Sequence, residues 1–250
     1  MFYFIVILRF LVVTSSEIEP KVVMGDETSI QNHPYSAFLI IAQDTSAHIC
    51  GASIVNQKLL LTAAHCFDAL NRKYKVNANV GHTNKRKGHF LKITRVKVHP
   101  QYDKIKIAND IALAGLKKEI KFGEIVNRVV LAQRRPREGP ALIAGWGFVG
   151  ENPYEDSDFL HETKQRVWSK TDCVKFLSEL PEGTFCSGRV RDGGYPSHGD
   201  SGSPLIIDGY LQTGLVSFKN MEVSRSIIVY TDIPYHYDWI ARNALAVFCG

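Results

Sequence analysis

From residue 36 onward the chain repeats one pattern, a short apolar run followed by a turn signal. The runs read "SAFLIIA", "KLLLTAA", "KYKVNANV", "FLKITRVKV", "DIALAGL", "PALIAGW", "PLIIDG", "LQTGLVSF" and "IIVYTDI". Val, Ile, Leu and Tyr fill them, and Gly, Pro, Asn or Asp punctuates them. Such residues suit a pleated, half-buried surface. Many short runs with turn signals between them predict an all-β barrel or sandwich. Helix is expected in two places. One is the C-terminal "PYHYDWIARNALAVF", with Tyr235, Trp239, Ile240, Ala244 and Leu245 on one face. The other is a short helix over "TDCVKFL", capped by Thr171. The charged stretch "QRRPREGP", residues 133–140, reads as a linker between two halves.

The 250 residues suit one large domain or two fused half-domains with an ample core. A net charge of +5 is too weak a bias to argue for nucleic acid. The most basic run, "HTNKRKGH", reads as a solvated loop. At the N-terminus an apolar core, Phe2 to Val13, precedes Thr14, Ser15 and Ser16. That is the shape of a secretory signal over residues 1–16, although Arg9 interrupts it. The run is short of the ~20 residues that span a bilayer. Five cysteines in a secreted chain should pair and leave one over. Spacing alone does not fix the pairing. No Cys-x-x-Cys or His-x-x-x-His cluster points to a metal.

Three further stretches carry candidate chemistry: "LTAAHC" with His65, "NDIAL" with Asp110, and "GDSGSP" with Ser201. A serine hydroxyl is a poor nucleophile at neutral pH. It needs a base within hydrogen-bond reach, and the base needs an orienting acid. Each stretch alone is a weak signal. In this order they resemble the chymotrypsin/trypsin family of serine proteases, and the likeness covers nearly all of residues 22–250. "VVMG" at Val22, "LIAGWGFVG", "VHPQYD", "FCSG", "GLVSF", "VYT" and "DWI" fall in the same register.

The resemblance implies two packed six-stranded antiparallel β-barrels and a C-terminal helix. The first barrel would occupy about residues 30–130, the second about 135–233 and the helix about 234–248. It implies that His65 is the general base, that Asp110 orients it, and that Ser217 supports Asp110. The N–H groups of Gly199 and Ser201 would form the oxyanion hole. Asp200, a carboxylate in a buried turn, needs a partner. By resemblance that partner is the Val22 amine, freed when residues 17–21 are cut away after Lys21. Cys50 would pair with Cys66 and Cys173 with Cys186, leaving Cys249. The implied partners are a polypeptide substrate, an activating protease and protein inhibitors. No cofactor, metal, nucleic acid or membrane is implied, and the chain would be a secreted monomer.

The specificity pocket departs from the family. By register its base is Tyr195, beside Pro196, where trypsins hold an aspartate. Lys219 and Ile228 stand where small glycine walls are usual, and Phe218 replaces a Trp. His198 lies at the rim. Ser197 stands where a bridging cysteine is common, so the second barrel is less stapled. Bulky groups here should fill the primary pocket and exclude cleavage after Lys or Arg. Two readings follow. One is a protease for small or unusual side chains, with Lys219 favouring acidic ones. The other is a homologue that keeps the triad and binds without cutting. A general esterase is a third possibility. The loop "VGHTNKRKGHF" lacks the acids that calcium-binding trypsins place there, so no calcium is expected.

Overall fold

The computed structural model describes residues 25–43, 46–68, 74–135, 138–151, 153–190 and 194–249. The expected signal and activation segment, with Lys21 and Val22, lie outside them, as does the Cys249 side chain.

A two-residue strand, β1 (Asp26–Glu27), leads into the first barrel. That barrel comprises β2 (Ser36–Gln43), β3 (Ser46–Asn56), β4 (Leu59–Thr62), β5 (Tyr74–Val80), β6 (His89–Val98) and β7 (Ala112–Leu116). It closes in the order β2-β3-β4-β7-β6-β5. The short β8 (Val130–Leu131) and β9 (Gly139–Gly145) follow. Then come a hairpin of β10 (Gly150–Glu151) and β11 (Tyr154–Glu155), and β12 (His161–Val167). The helix α1 (Lys170–Leu177) precedes β13 (Thr184–Arg189), β14 (Pro204–Ile207), β15 (Leu211–Lys219) and β16 (Ile227–Asp232). Strand β9 pairs with both β12 and β14, which closes β9-β12-β13-β16-β15-β14 into a second six-stranded barrel. Closure gives every barrel strand a partner on both sides over at least part of its length, which shortens the edges open to other chains. The fold is the expected pair of barrels.

Each barrel is filled by alternate residues of its strands. Leu39, Ile41, Ile54, Leu60 and Ala78 pack inside the first. Ile143, Leu205, Val216, Ile228 and Tyr230 pack inside the second. The barrels dock closely at Gly51 of β3. A Cβ there would lie 2.9 Å from the Ser203 backbone nitrogen, so only glycine lets β3 approach the serine turn. Gly51 N–H donates to the Ser201 carbonyl at 2.7 Å across this seam.

The C-terminal helix α2 (Ile233–Cys249) packs back on the first barrel. Its buried face is Ile233, His236, Trp239, Ile240 and Val247, whereas Tyr235 and Leu245 are exposed. This corrects the expected face. At 3.6 residues per turn each of those two stands roughly 140° round the helix from Ile240. The cap of α1 is also corrected. Ser169, not Thr171, accepts from the Asp172 N–H at 3.0 Å. The basic loop is not simply solvated either. Lys85 pairs with Asp156 and Arg86 with Asp158, so its charge is answered within the chain. In the stretch between the barrels, Arg135 pairs with Asp232. Among the described residues no helix is long and apolar enough to cross a membrane.

Candidate active site

The cleft between the barrels holds about 350 Å³ and is lined by His65 from one side and Ser201 from the other, with Ser217, Phe218 and Lys219 along its wall. His65 begins a single 3-10 turn after β4. The Cys50–Cys66 disulfide ties that turn to β3, and Cys173–Cys186 ties α1 to β13. Both pairings are those the resemblance implies. Cys50, Cys66 and His65 present ligand atoms within 4.8 Å of one another, but the bridged sulfurs are not thiolates and do not make a metal site.

Asp110 is completely buried and grips His65 twice. Its Oδ1 accepts from the His65 backbone N–H at 2.8 Å, and its Oδ2 lies 2.8 Å from Nδ1. Ser217 Oγ donates to the same Oδ2, and Thr231 Oγ1 donates to the Asp110 carbonyl at 2.7 Å. Burial alone would raise the Asp110 pKa. The hydrogen bond and charge of His65, with the bonds from Ser217 and the backbone, outweigh it and hold the carboxyl below its ordinary value. For His65, burial disfavours the imidazolium, but the hydrogen bond and charge of Asp110, helped by Asp68, raise its pKa. With Nδ1–H donating to Asp110, Nε2 is left as the acceptor. Among the described residues no hydrogen bond joins Ser201 Oγ to the imidazole. Contacts of this kind often tighten only with substrate bound.

The serine turn is pinned by its backbone. Asp200 N–H donates to the Ser197 carbonyl, Gly202 N–H to that of Val216, and Ser203 N–H to that of Asp200, all within 3.0 Å. Gly199 sits at φ +97°, a conformation side chains resist. The N–H groups of Gly199 and Ser201 have no acceptor among the described residues. Asp200 is buried behind them. Its two oxygens accept from Gly147 and Ser197 N–H, each at 2.9 Å. Burial pushes its pKa up to about 6, despite those bonds and the charges of Lys219 and Lys85.

Of the residues that register assigns to the pocket, Pro196, His198, Ser217, Phe218, Lys219 and Ile228 line the cleft, whereas Tyr195 does not. Tyr195 and Ile228 are buried in the second barrel's core. Lys219 Nζ caps the Tyr195 ring at 4.9 Å and donates to the Pro196 carbonyl at 3.3 Å. Phe218 and Met221 line the wall, and Met221 went unnoticed in the sequence because its loop carries no motif. His198 is exposed at the rim, its ring near those of Tyr154 and Phe148 at 5.5 and 6.3 Å. The hairpin that supplies Tyr154 gave no sequence signal beyond its turn residues.

Two closed barrels with a serine, a histidine and a buried aspartate at their junction define the two-barrel serine protease class. The family described as Trypsin matches residues 22–240, and the chain belongs to that family of serine-type endopeptidases. Among curated relatives, duodenase-1 of Bos taurus is 30% identical over 88% of each chain. Cathepsin G of Homo sapiens is 32% identical over 94% of this chain and 92% of its own. Among solved structures, HL collagenase is 26% identical with a TM-score of 0.77, covering 88% of this chain and 97% of its own. Mouse neuropsin, a serine protease, is also 26% identical, with a TM-score of 0.74 over 88% of this chain and 98% of its own.

Proposed function

We propose that this chain is a secreted precursor of a serine endopeptidase, switched on by cleavage after Lys21, that cuts beside small side chains through Ser201, His65 and Asp110. The observation that carries the reading is the 2.8 Å contact of His65 Nδ1 with a fully buried Asp110, in a cleft shared with Ser201. Nε2 takes the proton as Ser201 Oγ attacks the scissile carbonyl. The oxyanion is met by the Gly199 and Ser201 N–H groups. His65 then protonates the departing amine, leaving an acyl group on Ser201. Water, deprotonated by His65, releases the acid and restores the serine. Asp110 offsets the charge that His65 carries in between.

Activation is supported by Asp200. A buried carboxylate whose pKa is raised wants a cation, and the Val22 amine would supply one. Two disulfides support an oxidising compartment. Polypeptides are the substrate class, and an activating protease and inhibitors are the expected partners.

A second reading is favoured by Tyr195 and Ile228, buried in the second barrel, and by Lys219 over the Tyr195 ring: by register these bulky groups stand where a substrate side chain enters in related proteases. On it the chain binds without cutting. Labelling with a fluorophosphonate, before and after cleavage at Lys21, separates the two, with Ser201→Ala as control. Labelling that arises only after cleavage supports the protease. No labelling of a chain that begins at Val22 supports the binding module.

A further inference from the structure

Strands β5 and β6 part halfway along. Their ladder joins Asn77–Val80 to His89–Lys92 and stops. Beyond that point, among the described residues, Tyr74–Val76 pairs only with β2, and Ile93–Val98 only with β7. Between the separated edges lies a groove of about 680 Å³, lined among others by Tyr74, Lys75, Lys92, Thr94 and Arg95. It shares no lining residue with the cleft of Ser201.

Two properties of the groove restrict what fits it. Its walls are strand edges outside the ladder, and such edges template another extended chain. It also holds three exposed cations, Lys75, Lys92 and Arg95, and among the described residues no lining carboxylate. None of the three is engaged by a side chain among the described residues, unlike Lys85 and Arg86 in the next loop. A sulfated polysaccharide would satisfy the charges but cannot continue a backbone ladder. A peptide satisfies both.

We propose that this groove binds an extended acidic peptide, which adds as a strand along a free edge of β5 or β6 and sets Asp or Glu side chains against Lys75, Lys92 and Arg95. Successive side chains of a strand point to opposite faces, so acids at every second position would meet the cations. Main-chain bonds would supply affinity and the cations selectivity.

The test uses the full chain with Ser201→Ala, so that the probe is not cut. The probe is a fluorescein-labelled decapeptide alternating glutamate and valine, followed by fluorescence anisotropy. Saturable binding is expected. The double variant Lys92→Glu/Arg95→Glu should weaken it at least tenfold, while Lys170→Glu, on the distant α1, leaves it unchanged. Methylating alternate backbone nitrogens of the probe should also weaken binding at least tenfold. That arm uses the parent chain, so it stands even if a charge variant misfolds. The proposal is overturned if the parent chain does not bind the peptide, or if the charge reversal has no effect. Equal binding of the methylated peptide, or of a heparin-derived hexasaccharide, also overturns it, because simple polyanion adsorption would then account for the site.

Discussion

Lys219 Nζ lies 4.9 Å above the centre of the Tyr195 ring, so two side chains foreign to trypsin pockets meet at the wall of the cleft. An ammonium over an aromatic face gains roughly 0.5–2 kcal/mol. Ile228 fills the space beside them. Removing the Lys219 side chain should widen the cleft. Lys219→Gly is expected to raise kcat/KM about tenfold for peptides with an aromatic residue before the scissile bond, and to leave alanine peptides nearly unchanged. Ile228→Ala should widen the cleft further but cost about 2–5 kcal/mol of stability, because it empties a packed core site. A peptide library assayed on each variant decides the matter. An unchanged preference would mean that these groups do not limit access.

The His65–Asp110 pair sets the acid limb of the pH profile. The His65 pKa is raised above its ordinary 6.5, so the imidazole stays protonated to a higher pH. A protonated imidazole cannot accept the Ser201 proton. Hence kcat/KM should fall as pH drops through a midpoint above 6.5, and be full on the alkaline side. Asp110→Asn removes the group that raises this pKa and the one that fixes the tautomer. The midpoint should move down and the plateau fall by about 10⁴, the loss known for this change in the family's template reaction. A plateau within tenfold of the parent would assign Asp110 a structural role only.

The short apolar runs made the barrels legible, since nine of them became β2, β4, β5, β6, β7, β9, β14, β15 and β16. Strand β12, "HETKQRV", was not legible. Its inward residues include His161, Thr163 and Gln165, which carry no apolar alternation. Gln165 is tolerated inside because its amide donates to the Gly194 carbonyl at 2.7 Å and its oxygen accepts from Ser187. Periodicity reads apolar atoms, and a buried polar network is invisible to it. The triad candidates were legible because motif and order coincide with a family. The make-up of the pocket wall was only half legible. Register named Tyr195 and Lys219, but their contact depends on how the wall of β15 faces the loop before Ser201.

Asp200 makes a prediction about stability. Its folded pKa, about 6, is above the ordinary 3.8, so the folded state binds more protons between those values. Stability from this group is therefore present at low pH and lost as pH rises from about 4 to 6. Asp200→Asn keeps the shape and removes the titration. The uncut variant should unfold at a higher temperature than its parent at pH 7, and that difference should shrink towards pH 4. After cleavage at Lys21 the same variant should stay inactive, because the Val22 amine finds no carboxylate. Calorimetry across pH 4–7, paired with fluorophosphonate labelling, checks both halves. A variant that is active after cleavage would refute the switch.

Gly199 offers the narrowest test of the oxyanion site. At φ +97° an added Cβ would stand 2.8 Å from Ile49 Cδ1 and 3.0 Å from Gly147 Cα. The isoleucine tip can yield, but the Gly147 backbone is held by the bond from its N–H to Asp200. Gly199→Ala should therefore be relieved by rotating the peptide, which turns the Gly199 N–H out of the cleft. The loss of one such donor costs about 10²–10³ in kcat. KM should change little, because the donor serves the oxyanion more than the ground-state carbonyl. The strain should lower stability by about 1–2 kcal/mol. Steady-state kinetics on a cleaved peptide, with thermal unfolding alongside, separates the two effects. A parent-like kcat in a folded variant would place the oxyanion elsewhere than beside Gly199.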